Sequence, residues 1–508
     1  MLANDGGFLY DSDMTDQTTE SVPNRPCKRW RKTKWFYGIL LAYCAVTIAA
    51  VIWWSAYSHR VFDEVVNPII ARGEPLAWSD FATDPIPDDQ NAAILYKRAI
   101  DTPVLMDFEN VLQREFGDLL ALREWECYDL TYEFIRKREV RQEHPDELRK
   151  LLGMARDAFV LCRKARRIDN IHWGIDFTGK ALDESGPPGE QLYIKLSGLL
   201  HLAVIDAHDG GRDDDAVEYI RDLVALGDSL ATYPSLISNL TSLAINYVAN
   251  RAIEDIVTTM KIGDTQGNAS LKNTRALIAR LLDDTPARQG MILAMLGERS
   301  MNYDICMSIL SLDPSTEETG SAFGGGIGDY YSSSGIVRAC YDYCLAPLFR
   351  IDGTWALKRL DSYVRVSDFQ TLPEYRNAIK QTERDTEEYL ERPSYLRHLS
   401  TIMMPTLDRL RDIHYRYLAG RQMAGVALAI RIYQIERGRL PDTLGQLVPD
   451  YLADVPQDPM AEPGNPIRYV NDPKVTRLYC VGLNGRDDLG AYDDFASTRM
   501  TARRLCSS

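Results

Sequence analysis

The chain has 508 residues, 45% hydrophobic and 26% charged, close to globular averages and too apolar for an intrinsically disordered protein. That length supports one large or two to three ordinary domains. The net charge of −15 is spread without a long acidic block, which argues against nucleic acid as a main partner, because neutralising phosphates takes clustered Lys and Arg.

Residues 1–34 are polar and rich in turn formers, and are predicted to be a disordered cytoplasmic tail. From Trp35 to Tyr57 run 23 residues without a charge, long enough as a helix for a hydrocarbon core of about 30 Å. Trp35, Phe36 and Tyr37 at one end and Trp53, Trp54 and Tyr57 at the other are the amphipathic rings expected at two water interfaces. Six cations (Arg25, Lys28, Arg29, Arg31, Lys32, Lys34) precede this span, against His59 and Arg60 just beyond it. The positive-inside tendency then places the N-terminus in the cytoplasm and the bulk of the chain outside it, in a single-pass protein of the cytoplasmic (inner) membrane. The bulky Trp53–His59 exit offers no small-residue cleavage site, so the span reads as an uncleaved signal anchor and the lipid bilayer as a partner.

On this topology Cys27 is cytoplasmic, Cys44 lies in the membrane, and Cys127, Cys162, Cys306, Cys340, Cys344, Cys480 and Cys506 are outside. Seven is odd and sparse for so large a region, so the fold is not expected to depend on a disulfide framework. Cys340 and Cys344 lie one helical turn apart, but no second pair at ligand spacing accompanies them. Buried small residues are the better reading.

Beyond the span, His59 to Leu76 continues helical. Ala82–Ile100 is a proline-punctuated loop leading into a helix that Asp88 or Asp89 can cap. Helices are expected at about 105–137 and 144–168, the second opened by Pro145 with acidic residues in its first turn. The clearest pattern is Gln191–Met260: Leu192, Leu196, Leu199, Leu200 and Ala203 form one stripe, the turn His208–Asp215 interrupts it, and Ala216, Ile220, Leu223, Gly227 and Leu230 resume it. That is a helical hairpin, and Pro234 opens a third helix. No 34-residue recurrence accompanies it, so an irregular stack of antiparallel helices is expected and not a tetratricopeptide array. Further helices are read at about 270–286, 288–311, 337–348, 354–364, 373–392 and 401–437, with a Gly/Ser loop between Asp313 and Gly335. Its GGGIG run lacks the strand and the Gly-Lys-Ser/Thr of a phosphate loop.

After Gly438 the chain turns dense in Pro, Gly and Asp, with short strands at Ile467–Val470 and Arg477–Val481 joined through Asn471-Asp472-Pro473. The fold class is thus mainly α: an irregular stack of antiparallel helices at 58–415 behind the transmembrane helix 35–57, with a small helix-plus-antiparallel-β module at 416–495 and a tail at 496–508. The module resembles the globular part of the major pseudopilins of type II secretion, a pattern also found on membrane-anchored bacterial envelope proteins. Tyr433, Gly438 and Pro441 carry the match, followed by Leu444, Leu447, Val448, Pro449, Tyr451 and Leu452. Pro456, Asp458 and Pro459, then Asn465, Pro466 and Tyr469, then Gly482, Gly485, Asp487 and Gly490 complete it, over about 75 residues. The chain departs from that pattern in having no prepilin cleavage motif and a long helical body between anchor and module. The resemblance implies a calcium site on the last loop, with Asn484, Asp487, Asp488, Asp493 and Asp494 as oxygen ligands suited to a hard cation.

No hydrolase, zinc-protease, phosphate-loop or dinucleotide motif stands in its expected setting. His201 and His208, two turns apart on one helix with Asp206 and Asp209 nearby, are the candidate acid–base or metal cluster, and His172–Asp176 is a second polar motif. The leading expectation is a membrane-anchored extracytoplasmic scaffold of a bacterial envelope, bound to an envelope protein partner. An accessory of a type II secretion-like system and an extracytoplasmic hydrolase with a His/Asp site are the alternatives.

Overall fold

The computed structural model describes residues 28–123, 126–178, 187, 189–311, 343, 345–391, 407–472, 476–489 and 499–501. The expectations for residues 1–27, for the Gly/Ser loop 313–335 and for Cys340, Cys344 and Cys506 lie outside the described residues.

The first helix, α1 (Lys28–Ala71), starts seven residues before the uncharged span, so the basic residues from Lys28 onward are helical and not part of an irregular tail. Its segment Lys34–Ala71 is long and apolar enough to cross a membrane, with a mean hydropathy of 2.1 over its most apolar window, none of which is buried. Trp35, Leu41, Val46 and Trp53 all face outward, an arrangement that water disfavours and hydrocarbon does not. The helix stops where Gly73 takes a φ of +68°, a left-handed turn that ends the backbone ladder at low steric cost.

Residues 1–56 and 57–508 form two compact units. In the second, α1 hands over to α2 (Ala92–Ile100), α3 (Pro103–Met106), α4 (Phe108–Arg123), α5 (Cys127–Arg136), α6 (Arg138–Glu143), α7 (Pro145–Met154) and α8 (Arg156–Ala165). There follow α9 (Glu190–Asp209), α10 (Asp213–Leu230), α11 (Leu236–Ile256), α12 (Leu271–Leu282) and α13 (Thr285–Ser311). The last helices are α14 (Ala346–Val366), α15 (Leu372–Leu390) and α16 (Leu407–Arg437). The cap of α2 is Asn91, whose side chain accepts from Ala93 N, while Asp88 and Asp89 form a short 3-10 turn ahead of it.

The expected hairpin is α9–α10. Gly211 at φ +70° makes the turn, and Arg212 N donates to Ala207 O at 2.8 Å. Asp213, Asp214 and Asp215 then fall in the first turn of α10, where carboxylates oppose the positive end of the helix dipole. Ser235 caps α11 through Ser238 N. Helix α16 buries Leu418, Met423, Val426, Leu428 and Ile432 together with the polar Arg411, His414 and Arg421, and each large apolar side chain so buried contributes about 1.5–3 kcal/mol.

Strands β1 (Arg468–Asn471) and β2 (Thr476–Tyr479) pair antiparallel with Tyr469 opposite Leu478. A third strand, β3 (Arg499–Thr501), adds to the other edge of β2, beyond the boundary expected at 495. No seam falls at residue 415: that position is inside α16, and one core runs from Trp78 to Val481. A backbone bond ties the loop before β1 to the start of α15, Leu372 N donating to Pro459 O at 2.8 Å. The buried carboxylate of Asp458 accepts from Met460 N, Val481 N and Arg468, which holds the sheet's inner edge in register.

Where α1 ends, Val66, Ile69 and Leu76 make a small separate core with Leu357 of α14. Beside it lies an ion cluster centred on Arg299, which is fully buried. Its Nη1 donates to Glu74 and Asp361, both at 2.7 Å, and its Nη2 to Pro75 O at 2.8 Å. Arg72 completes the cluster, donating to Glu74 and Asp361. The hydrogen bond from Arg72, reinforced by Arg299, lowers the Glu74 carboxyl to about 2.

Candidate functional site

A hollow of about 440 Å³ opens between α2, α8, α10 and α12, a volume within the usual range of small-molecule sites. On α10, Arg221, Val224, Ala225 and Asp228 stand at helical spacing and form its floor. Opposite them, α12 contributes Leu277 and Arg280, and α2 contributes Tyr96. The remaining wall is the segment after α8, with Ile168, Asp169 and Ile171.

That wall is fixed by Asn91, which donates to His172 O at 2.7 Å and accepts from His172 N at 2.9 Å. Ala92 N donates to Asn170 O, and the Trp173 indole donates to Ser229 O and Thr232 Oγ1. The polar motif at His172–Asp176 is therefore the hinge of this wall; its histidine is engaged through the backbone and through Nδ1, which accepts from Gly174 N.

The charges around the hollow are paired in layers. Asp228, buried at the floor, lies 2.6 Å from Arg280 Nη2 and accepts from Arg421 Nη1 at 3.1 Å. Arg421, itself almost fully buried, is held by Tyr417 and by the carbonyls of Arg280 and Leu281. One layer away, Asp222 is fully buried between Arg163 (2.9 Å) and Arg166 (3.2 Å). Burial outweighs both arginines and raises its carboxyl to about 6. Tyr96 is 1% exposed, and its hydroxyl has no hydrogen-bond partner, a deficit of about 1–3 kcal/mol. Burial raises that phenol well above its ordinary value, so it stays protonated as a donor.

The sequence-predicted histidines do not converge. His201 Nε2 lies 3.1 Å from Asp255 of α11, whereas His208 is bonded to Asp213 and Thr259. Asp206 pairs with Arg212 and Asp209 with Arg141. Each member thus has its own partner on a different element, and none lines the hollow.

Of the five residues implied as calcium ligands, Asp493 and Asp494 lie outside the described residues. Asn484 accepts from Arg486 N, and Asp487 accepts from Tyr479 and Leu489 N while its Oδ2 lies 2.9 Å from Arg468. Asp488 is half-buried. The Arg468 guanidinium thus stands beside Asp487, and one carboxylate oxygen of Asp488 is buried without a hydrogen-bond partner. Among the described residues no group of three or more His, Cys, Asp or Glu is arranged to hold a metal. Cys162, Cys306 and Cys480 are buried, and burial raises all three thiols, Cys306 to about 12, which makes them inert apolar fillers.

Sequence reading missed Tyr96, Arg166, Arg221, Asp228 and Arg280, because only the packing of distant helices brings them together. A usable signal was Asp228 on an otherwise apolar face of α10, since a carboxylate there demands a cation. Comparison with protein-family models, with curated proteins and with solved structures gave no match.

Proposed function

We propose that the chain is a membrane-anchored extracytoplasmic scaffold of a bacterial cell envelope, whose helical body presents a binding surface to an envelope partner. The observation that carries this reading is α1: a fully exposed apolar span and the anchoring residues Val66 and Ile69 stand on one continuous helix. A helix of that kind serves as a permanent tether. The positive flank before Trp35 supports an N-terminus in the cytoplasm.

Two measurements test the reading. The chain should sediment with membranes and resist alkaline carbonate, and a membrane-impermeant maleimide should label Tyr247→Cys on the exposed side of α11 in intact cells. Release by carbonate, or labelling only after permeabilisation, overturns it. Purification from solubilised membranes should then return an envelope protein in stoichiometric amount, and its repeated absence removes the scaffold role.

A further inference from the structure

We propose that the hollow between α2, α8, α10 and α12 is a binding site for a small organic monocarboxylate with an apolar body. This goes beyond the scaffold reading and does not depend on it.

Charge selects the class. The lining holds three arginines, Arg166, Arg221 and Arg280, against two aspartates, Asp169 and Asp228, an excess of one positive charge. Around the lining, Arg163 and Arg421 stand against Asp222 and Glu218, and Asp283 lies 3.9 Å from Arg280 at the mouth. A monoanion balances such a lining. A dianionic phosphate leaves it negative, beside two carboxylates that already repel it.

The donors are also unequally committed. Arg166 is consumed by Glu218 and Asp222. Arg221 uses only Nη1, on Glu218 and Asn273, and Arg280 uses Nη2 on Asp228 with Asp283 as far as 3.9 Å from Nη1. Their side chains are 30% and 45% exposed, so both reach the mouth with donors to spare. A guanidinium presents those donors as a flat fork that matches a carboxylate.

The rest of the hollow is built for the other end of such a molecule. Ile168, Ile171, Val224 and Leu277 offer apolar surface, and alanines at 92, 225 and 276 leave the space open. Tyr96, whose buried hydroxyl lacks an acceptor, lines the same cavity. The walls are preset: Asn91 pins the segment at His172, and Arg421 pins Asp228, which in turn orients Arg280. Little ordering is left to be done on binding.

The test is calorimetric titration of the full chain in detergent with phenylacetate, 4-phenylbutyrate and cyclohexanecarboxylate, at constant ionic strength. Neutral 4-phenylbutanol and inorganic phosphate are the controls. At least one carboxylate should bind saturably, and the alcohol and phosphate about tenfold more weakly or not at all. Arg280→Gln should weaken the carboxylate by about tenfold. Because that change also frees Asp228, Ala225→Leu serves as a second variant: it fills the hollow, keeps every ion pair, and should abolish binding while the helical circular dichroism is unchanged. Failure of all three carboxylates overturns the proposal, as does tighter binding of phosphate. Equal binding of the alcohol, or an affinity that Ala225→Leu leaves intact, overturns it as well.

Discussion

His414, on α16, is buried with both ring nitrogens lacking hydrogen-bond partners. Burial, helped by Arg288, lowers it from its ordinary value of 6.5 to about 3. The folded chain therefore refuses a proton that the unfolded chain accepts between these two values. Stability from this residue is complete above pH 6.5 and is lost as the pH falls toward 3, by about 1.4 kcal/mol per pH unit. An apolar side chain of similar size sacrifices no hydrogen bond here. His414→Leu is expected to match the parent within about 1 kcal/mol at pH 8 and to exceed it at pH 5 by about 2 kcal/mol, because its own proton uptake on unfolding is gone. Urea unfolding at the two pH values checks this; equal pH dependence in both proteins sinks it. The sequence does not mark His414 out, because only the packing of α16 shows that its ring is buried without partners.

At the scale of elements, glycines show where two helices pack closely. Helices were expected to end at about 348 and to start again at about 354, yet α14 runs unbroken through Gly353, opened by Pro347 in its first turn. A Cβ at 353 would lie 2.5 Å from Cys306 Sγ, so this glycine serves close packing of α14 on α13 and not a turn. Gly297 is the sharper case: a Cβ there would lie 1.8 Å from Pro234 O, a backbone atom that cannot swing aside. Gly297→Ala must push α13 off the start of α11, and is expected to cost about 3 kcal/mol, the upper part of the overpacking range. Gly153→Ala, on exposed α7 with nothing within 4 Å, should instead stabilise by about 0.5–1 kcal/mol. Paired thermal melts decide between packing and propensity. Helix positions themselves were largely legible because the 3.6-residue stripe survives in α9, α10 and α12. The stretch read as one helix over 105–137 divides into α3, α4 and α5, and β3 is three residues long, too short for any period to register.

The joint between α1 and the helical body sets the behaviour of the whole molecule. Arg299 bridges Glu74, Pro75 O and Asp361 at once, so its loss frees the Arg72–Leu76 turn from α13 and leaves Arg72 as its tie to Asp361 of α14. Removing one partner of a buried ion pair commonly costs 3–5 kcal/mol, about that scale, through the charge left behind. Here Asp361 keeps Arg72 and Arg365, and Glu74 keeps Arg72, so Arg299→Ala should fall at the lower end, about 3 kcal/mol. The same cluster carries an acid signature. Glu74 is held at about 2 against an ordinary 4.5, so its contribution is complete above pH 4.5 and fades as the pH falls toward 2. Glu74→Gln should flatten that part of the stability profile.

The larger consequence is that the long apolar helix near the N-terminus was legible while the hollow was not. Twenty-three uncharged residues in a row mark, by composition alone, a helix long and apolar enough to cross a membrane. The hollow depends on Tyr96, Asp228 and Arg280 on three helices and on Arg166 just past the end of α8, and no local pattern relates them. If residues 57–508 are a unit in their own right, joined by one core from Trp78 to Val481, they should fold without the span. A chain begun at Tyr57 keeps Ser58, Val66 and Ile69, and with them the Arg350–Ser58 bond and the contact to Leu357. It is expected to be soluble without detergent, to melt cooperatively within a few degrees of the full chain, and to bind the same carboxylate in the hollow. A chain begun at Pro75 lacks Val66, Ile69, Arg72 and Glu74, leaves Arg299 and Asp361 short of partners, and should melt several degrees lower. If the two truncations melt alike, the α1 joint contributes nothing to the body, and the reading of Arg299 as its lock fails with it.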